Sequence, residues 1–380
     1  MTVADALPAV GSGPGPVMPA YGGAWVGGLV PALLGRAPAG WLPTPVAGAR
    51  AVVLLVLDGL GWEALRLHPA RLPTLCGFDG GPITTVAPST TSAALTSIAC
   101  GVSPAAHGVL GYRIRVGGRS LNVLRWQSAP DEDVPDPADV QPVAPFLGNP
   151  VPVVTKAEFR NTGFTTAHLR DTTFTGWRTT SALLEHVHRL VTAGSSFVYA
   201  YYDGVDKVAH EYGLDAPTYL TELVLVDRLV GDLLDRLPSD VALLVTADHG
   251  QVQVGPAGAV ALTDVRRLVS AYSGEGRFRS LHSRTGASAE LAAACRSLYA
   301  DRAWVFTRDQ LFDEGWLGAG GTLAVRGRIG DVVLAAREPV VFTDPGQLKE
   351  TRMLSQHGSL TPAEMEVPLL AGRGRLTGLA

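Results

Sequence analysis

Residues 196–247 run from an apolar stretch, SFVYAYY, through the amphipathic YLTELVLVDRLVGDLLDRL (219–237) into a second apolar stretch, VALLVTA. The two apolar stretches predict strands, and the Leu/Val spacing between them predicts a helix with its charged residues outward. Strand, long helix and strand in that order call for a crossover, which lays the two strands parallel. A parallel sheet needs cover on both faces, so the chain is expected to be α/β. AVVLLVL (51–57) and PVPVV (150–154) supply two further strands.

The rest of the chain fits a large globular body. Its 380 residues are 46% hydrophobic and only 17% charged, enough for one big domain or two smaller ones. A net charge of -4 gives no reason to expect a nucleic acid polymer or an anionic membrane as the partner. Cys76, Cys100 and Cys295 lack CxxC spacing, so each is read as a small core residue. No basic region precedes an apolar segment at the N-terminus, and AWVGGLVPALLG is too short and too broken to span a bilayer. A cytoplasmic protein is expected.

Three segments interrupt the pattern. Residues 1–22 form a Gly/Pro-rich lead-in, and 128–142 an acidic, proline-rich exposed loop. Residues 262–342 combine an Arg-rich helix, an Ala-rich helix and the Gly-laden GWLGAGGTLAVRGRIGDVVLAA, which together suggest a small inserted α+β lobe. The catalytic core is then 23–261 with 343–380.

In open α/β sheets ligands gather beyond the carboxyl ends of the strands. Four segments place Asp or His at such points or in a loop near them: LLVLDG with Asp58, DGVDKVAHEYG with Asp206 and His210, VTADHG with Asp248 and His249, and SQHGSL with His357. Asp206 and His210 are four apart, which on a helix sets both on one face, suited to one shared ion. Singly, each has an ordinary explanation. Asp58 could cap the helix of GWEALRL, and a lone loop His is usually a surface residue. Together they form three carboxylates and three imidazoles, a ligand set suited to two borderline cations such as zinc. Paired ions mostly serve phosphoryl chemistry, and that chemistry calls for a nucleophile.

The nucleophile is sought in PSTTSAALTSIACG, residues 88–101, where hydroxyls open an Ala/Leu-rich helix. A helix N-terminus offers free N–H groups and a favourable dipole to a phosphate, although the same hydroxyls could simply cap the helix. Asp203 could replace Asp206 as a ligand. His186 and His188 are expected at the surface, His107 at a turn, and His282 on the surface of the inserted lobe.

The order VLLVLDG, PSTTSAALTSIACGVSPAAHGVLGY, DGVDKVAHEYG, VTADHG and QHGSLTPAEMEVPLL resembles the alkaline phosphatase superfamily. It is most similar to the type I phosphodiesterase/nucleotide pyrophosphatase branch. The resemblance implies an alkaline phosphatase-like sandwich whose central, mostly parallel sheet is flanked by helices. It also implies two divalent ions, zinc first, with manganese or iron as alternatives. One ion would take Asp206, His210 and His357, and the other Asp58, Asp248, His249 and the nucleophile oxygen. Family members place that nucleophile ten positions before the Gly ending its helix, which is Thr91, with Thr90 the neighbouring alternative.

The chain departs from the branch at two points. Nucleotide pyrophosphatases usually carry Thr-Phe-Pro-Asn at the nucleophile, where this chain has TTSAA. Their phosphate-contacting Asn falls on Tyr112, so Tyr112 or Arg113 is assigned that contact. The sulfatase maturation motif, Cys/Ser-x-Pro-x-Arg, is absent.

The expected activity is therefore hydrolysis of a small phosphate ester or nucleotide-like substrate through a phospho-threonine. A phosphomonoesterase or phosphonate hydrolase on the same site is the alternative, with Arg113 and Arg115 as the extra cations. A metal-stabilised binding protein without catalysis is the competing class.

Overall fold

The computed structural model describes residues 15–35, 40–128, 133–346 and 352–376. Most of the 1–22 lead-in and part of the 128–142 loop lie outside these residues. Within that loop, Pro137–Val140 forms one helical turn capped by Asp136.

Seven strands make the main sheet: β1 (Ala51–Leu57), β2 (Asp79–Thr84), β3 (Pro152–Lys156), β4 (Thr173–Trp177), β5 (Phe197–Tyr202), β6 (Val241–Thr246) and β11 (Glu366–Arg373). Their order is β2-β11-β6-β1-β5-β3-β4. The run from β6 to β4 is parallel, and β11 lies antiparallel between β2 and β6. Strands β1, β5 and β6 are apolar along their whole length because helices cover both faces. The register sets Leu57 against Tyr202 and Val56 against Thr246, so Asp58, Asp203 and Asp248 leave the sheet at nearly one level.

Four helices matter for that edge. α1 (Thr91–Cys100) is buried throughout and ends at Gly101 in the left-handed region. α2 is Gly163–Leu169, α3 is Thr180–Thr192 and α4 is Gly204–Tyr212. The long helix expected between the last two strands is α5 (Pro217–Leu234).

Residues 269–336 build a second, antiparallel sheet from β7 (Val269–Glu275), β8 (Phe278–Ser283), β9 (Ala303–Thr307) and β10 (Val332–Ala336), in the order β7-β8-β10-β9. Alternation along β10 explains its placement. Val333 and Ala335 join the main core, while Val332, Leu334 and Ala336 pack with Leu291 and Cys295 of α6 (Ser288–Tyr299), the Ala-rich helix.

Three expectations are corrected. The Arg-rich helix is a short 3-10 turn, Arg266–Leu268, followed by a β-hairpin. Val269, Tyr272 and Phe278 favour extended backbone, and pairing along the hairpin outweighs the helical spacing. Cys76 is exposed, since its short helix Pro73–Cys76 turns it outward. His282 lies inside the second sheet, with Nε2 2.8 Å from Ser273 Oγ.

Gly59 adopts φ +75°, and a Cβ there would stand 2.9 Å from the Asp206 Cβ. Gly59→Ala is expected to lower unfolding free energy by about 1–2 kcal/mol from the backbone conformation alone. Urea denaturation checks this, and an unchanged midpoint would show that the turn relaxes freely.

Candidate active site

The carboxyl ends of β1, β5 and β6 deliver Asp58, Asp206 and Asp248 to one buried locus. Two groups of side chains there could hold a metal ion: Asp206, His210 and His357, and Asp58, Asp248 and His249. Asp58 does not cap a helix, because Gly61 occupies that position.

Each imidazole is turned by its own main-chain partner. His249 Nδ1 lies 3.1 Å from Gly250 O, His210 Nδ1 2.6 Å from Ser355 O, and His357 Nδ1 2.9 Å from Ser89 O. With Nδ1–H donating to a carbonyl, Nε2 carries the lone pair and faces inward. His249 Nε2 then stands 3.3 Å from Asp58 Oδ1, 3.4 Å from Asp248 Oδ2 and 3.0 Å from Thr91 Oγ1. His210 Nε2 is 3.2 Å and His357 Nε2 3.8 Å from Asp206 Oδ1.

Acceptors facing acceptors repel unless a cation stands between them. Asp58 Oδ1 and Asp248 Oδ2 are buried and accept no hydrogen bond. Their other oxygens are satisfied: Tyr201 Oη donates to Asp58 Oδ2, and the Gly59 and His249 amides donate to Asp248 Oδ1, each at 3.1 Å. One orphan oxygen per carboxylate, aimed at a bare imidazole nitrogen, fits a divalent cation.

The pKa directions follow from the same crowding. Burial, then the neighbouring carboxylates Asp248 and Asp206, pushes Asp58 well above the usual carboxylate range. Burial and Asp206 raise Asp248 to about 7. Burial lowers His249 to about 3, and burial with His249 holds His357 well below its ordinary value. Burial opposes charge on Asp206 and His210 as well, but their mutual attraction outweighs it, lowering Asp206 and raising His210.

Thr91 is the first residue of α1, and Thr90 is its N-cap without a side-chain capping bond. Both hydroxyls are buried, but the one within reach of His249 is that of Thr91. Two cavities meet there. One, of about 210 Å³, runs past Leu95, Phe159, Phe164, His168 and Tyr199, with Lys207 the sole lysine or arginine in its lining. The other, of about 240 Å³, is walled by Tyr112, Glu275, His210 and His357. Thr91, Asp206 and Leu124 line both.

Tyr112 is therefore beside Thr91, whereas Arg113 is stacked on the Tyr112 ring at 5.0 Å and lines neither cavity. Asp203 is not in either ligand group; Lys156 and Lys207 reach it at 2.8 and 2.7 Å. His186 and His188 lie on α3, away from the locus. His107 shapes a turn: Nδ1 accepts from Val109 N and Nε2 donates to Ser97 Oγ.

Sequence reading missed three supports. Tyr201 sits inside an apolar strand, where its hydroxyl is unremarked. Gln251, which donates to Asp206 Oδ1 at 2.5 Å, directly follows the DHG motif, a position that was a usable signal. Glu364 is completely buried, yet sits in a short turn that reads as surface.

The sequence profile described as "Type I phosphodiesterase / nucleotide pyrophosphatase" matches residues 52–360. The chain belongs to this family. That description covers enzymes that act on phosphate esters. Mouse ectonucleotide pyrophosphatase / phosphodiesterase 5, in an inactive form bound to AMP, has a similar fold, with a TM-score of 0.67 at 16% identity. That match covers 86% of this chain and 90% of the other. The human protein of the same name gives a TM-score of 0.63 at 14% identity and the same coverage.

Among curated relatives, mouse GPI ethanolamine phosphate transferase 3, catalytic subunit, is 29% identical over 102 residues, 27% of this chain. The Schizosaccharomyces pombe GPI ethanolamine phosphate transferase 3 is 35% identical over 74 residues, 20% of this chain. These matches span only 9% and 8% of the relatives' own lengths. No described helix of this chain is long and apolar enough to cross a membrane.

A pH prediction follows for Asp58 and Asp248. Their folded-state pKa values lie above the unfolded ones, so in metal-free protein their contribution to stability is full below about pH 4. It is lost as pH rises through about 7 for Asp248. A bound dication removes that loss. The rise in melting temperature on adding zinc to chelator-treated protein should therefore grow from pH 5 to pH 8. Scanning fluorimetry measures it, and a gain that shrinks with pH contradicts the assignment.

Proposed function

We propose that the chain is a two-metal phosphodiesterase acting on a nucleotide-like or other small diester, with Thr91 as nucleophile. The observation that carries this reading is the Thr91 hydroxyl, 3.0 Å from His249 Nε2 at the junction of two cavities. A diester has two substituents on phosphorus and needs room for both, whereas a monoester has one. Lys207 is the only lysine or arginine among the described residues lining the two cavities, and Glu275 adds negative charge to the second. Both features suit a monoanionic diester better than a dianionic monoester. The AMP bound to the mouse structural neighbour is consistent with a nucleotide-like substituent.

Asp58, Asp248, His249 and the Thr91 oxygen would hold one ion, and Asp206, His210 and His357 the other. Two divalent ions, zinc being the best match to this donor set, would supply positive charge that favours a deprotonated Thr91 hydroxyl and screens the phosphoryl oxygens. Thr91 Oγ, its proton released to solvent, would form a bond to phosphorus as the bond to the departing oxygen breaks, that oxygen leaving as an anion or taking a proton from water, and a phospho-threonine would result. Water attacks that phosphorus, the Thr91 Oγ–P bond breaks, and the phosphoryl product leaves. Thr91 opens α1, so the free amides of that helix end would be available to the phosphoryl group. Tyr112 shapes the same wall, and the second sheet contributes Glu275 and Gly276 to it, as a cap over one substituent would.

Metal analysis of the purified protein should give about two divalent ions per chain; none would undo the reading. Thr91→Ala should keep that metal content and lower turnover of bis-p-nitrophenyl phosphate by at least about a thousand-fold. Unchanged turnover would move the nucleophile elsewhere, with Thr90 next. Wild-type preference for p-nitrophenyl phosphate over the diester would refute the diesterase assignment.

A further inference from the structure

A buried ion pair joins the second sheet to the ligand-bearing loops, beside a bond from Ser359 Oγ to Ala336 O of β10 at 2.6 Å. Arg277 lies at the tip of the β7–β8 hairpin, and its side chain and that of Glu364 are fully buried. Arg277 Nε donates to Glu364 Oε1 at 2.7 Å and Nη2 to Oε2 at 2.8 Å, a two-pronged contact that fixes direction as well as distance. Nη1 donates to Glu338 O at 2.9 Å and Val340 O at 3.0 Å, which fixes the guanidinium from its far side.

Glu364 in turn holds three segments of the active centre. Its Oε1 accepts from Ser359 N at 2.9 Å, and its main-chain oxygen accepts from Gly250 N, also at 2.9 Å. Ser359 O accepts from Ser89 Oγ at 2.6 Å, and Ser89 O is the partner that orients His357. The loops carrying His249, His357 and Thr91 thus converge on one carboxylate residue. There is no slack at the contact with the Gly250 turn, because a Cβ on Gly250 would stand 1.9 Å from Ala363 O.

Burying an ion pair contributes little net stability, since removing both charges from water offsets their attraction. What such a pair supplies here is placement. Ligands must be held to within about 0.5 Å to close on an ion. We infer that Arg277 and Glu364 are positioning residues through which the second sheet sets where His249 and His357 present Nε2. This inference rests on the two-metal reading above, but it concerns residues that touch neither substrate nor ion.

The test compares wild type with R277M/E364Q and with R277K. The double variant removes both charges and keeps an acceptor for Ser359 N, while R277K keeps the charge and loses the two-pronged contact. Three quantities are measured: zinc affinity by chelator competition, kcat and KM on bis-p-nitrophenyl phosphate, and the melting transition in chelator.

Both variants should melt cooperatively without metal, yet bind zinc at least tenfold more weakly and lose at least tenfold in kcat, with KM little changed. Should the double variant fail to fold, R277K carries the same comparison. A lower melting temperature with zinc affinity and kcat within twofold of wild type would show a merely structural role and overturn the inference. Wild type that takes up no zinc overturns the two-metal reading, and this inference with it. Wild type with two ions beside an equally tight variant overturns this inference alone.

Discussion

Three imidazoles turned inward by three main-chain carbonyls are what the rest of the centre depends on. His249, His210 and His357 each direct Nδ1 to a carbonyl from a different loop, so their Nε2 lone pairs converge on Asp58, Asp206 and Asp248. Asp58 and Asp248 are buried, and one oxygen of each accepts no hydrogen bond, so their negative charge is met by no donor there. The fold holds together a cluster that is unfavourable by itself and that a cation would complete. Parallel strands bring the carboxylates to one level, and α1 brings a hydroxyl and a helix N-terminus to the same level.

Family membership and geometry agree on the kind of reaction, and they contribute different things. The family match points to phosphate ester chemistry. The departures at TTSAA and Tyr112 are local, and the structure shows what they leave behind: two cavities of similar size on either side of Thr91. Specificity is therefore a matter of those walls, which come from α2, the Tyr112 turn and the β7–β8 hairpin, while the ligand set itself is indifferent to what the ester carries.

Much of the centre was legible in the chain because each ligand stands beside a conspicuous local pattern. Asp58 and Asp248 end apolar runs, Asp206 and His210 share a helical face, and Thr91 opens a helix closed by Gly101. What was not legible depends on residues far apart in sequence. Nothing near Glu364 in TPAEM announces a buried charge, because its partner Arg277 is 87 residues away. Tyr201 looks like any aromatic strand residue until Asp58 is placed beside it. The arginines after residue 262 suggest a helix and give no sign of the hairpin that carries Arg277, since local arginines say little about which surface a segment will cover. Cys76 was assigned to the core on residue type alone, and its short helix turns it outward.

The position of β11 in the sheet has a consequence for biosynthesis. This strand comes last of the seven in chain order, yet it lies between β2 and β6, and His357 precedes it by only a few residues. A nascent chain emerging from the ribosome therefore presents its parallel strands and most of its ligands with a gap in the sheet and one imidazole missing. Contacts this distant in sequence form slowly, because a long loop must close before they reward it. In chain order Asp58, Asp248 and His249 are all synthesised well before the closing strand, whereas the group of Asp206 and His210 lacks His357 until just before it. On the proposed two-metal reading, the group around Asp58 is complete in sequence first, and activity would begin only once synthesis had carried His357 into place.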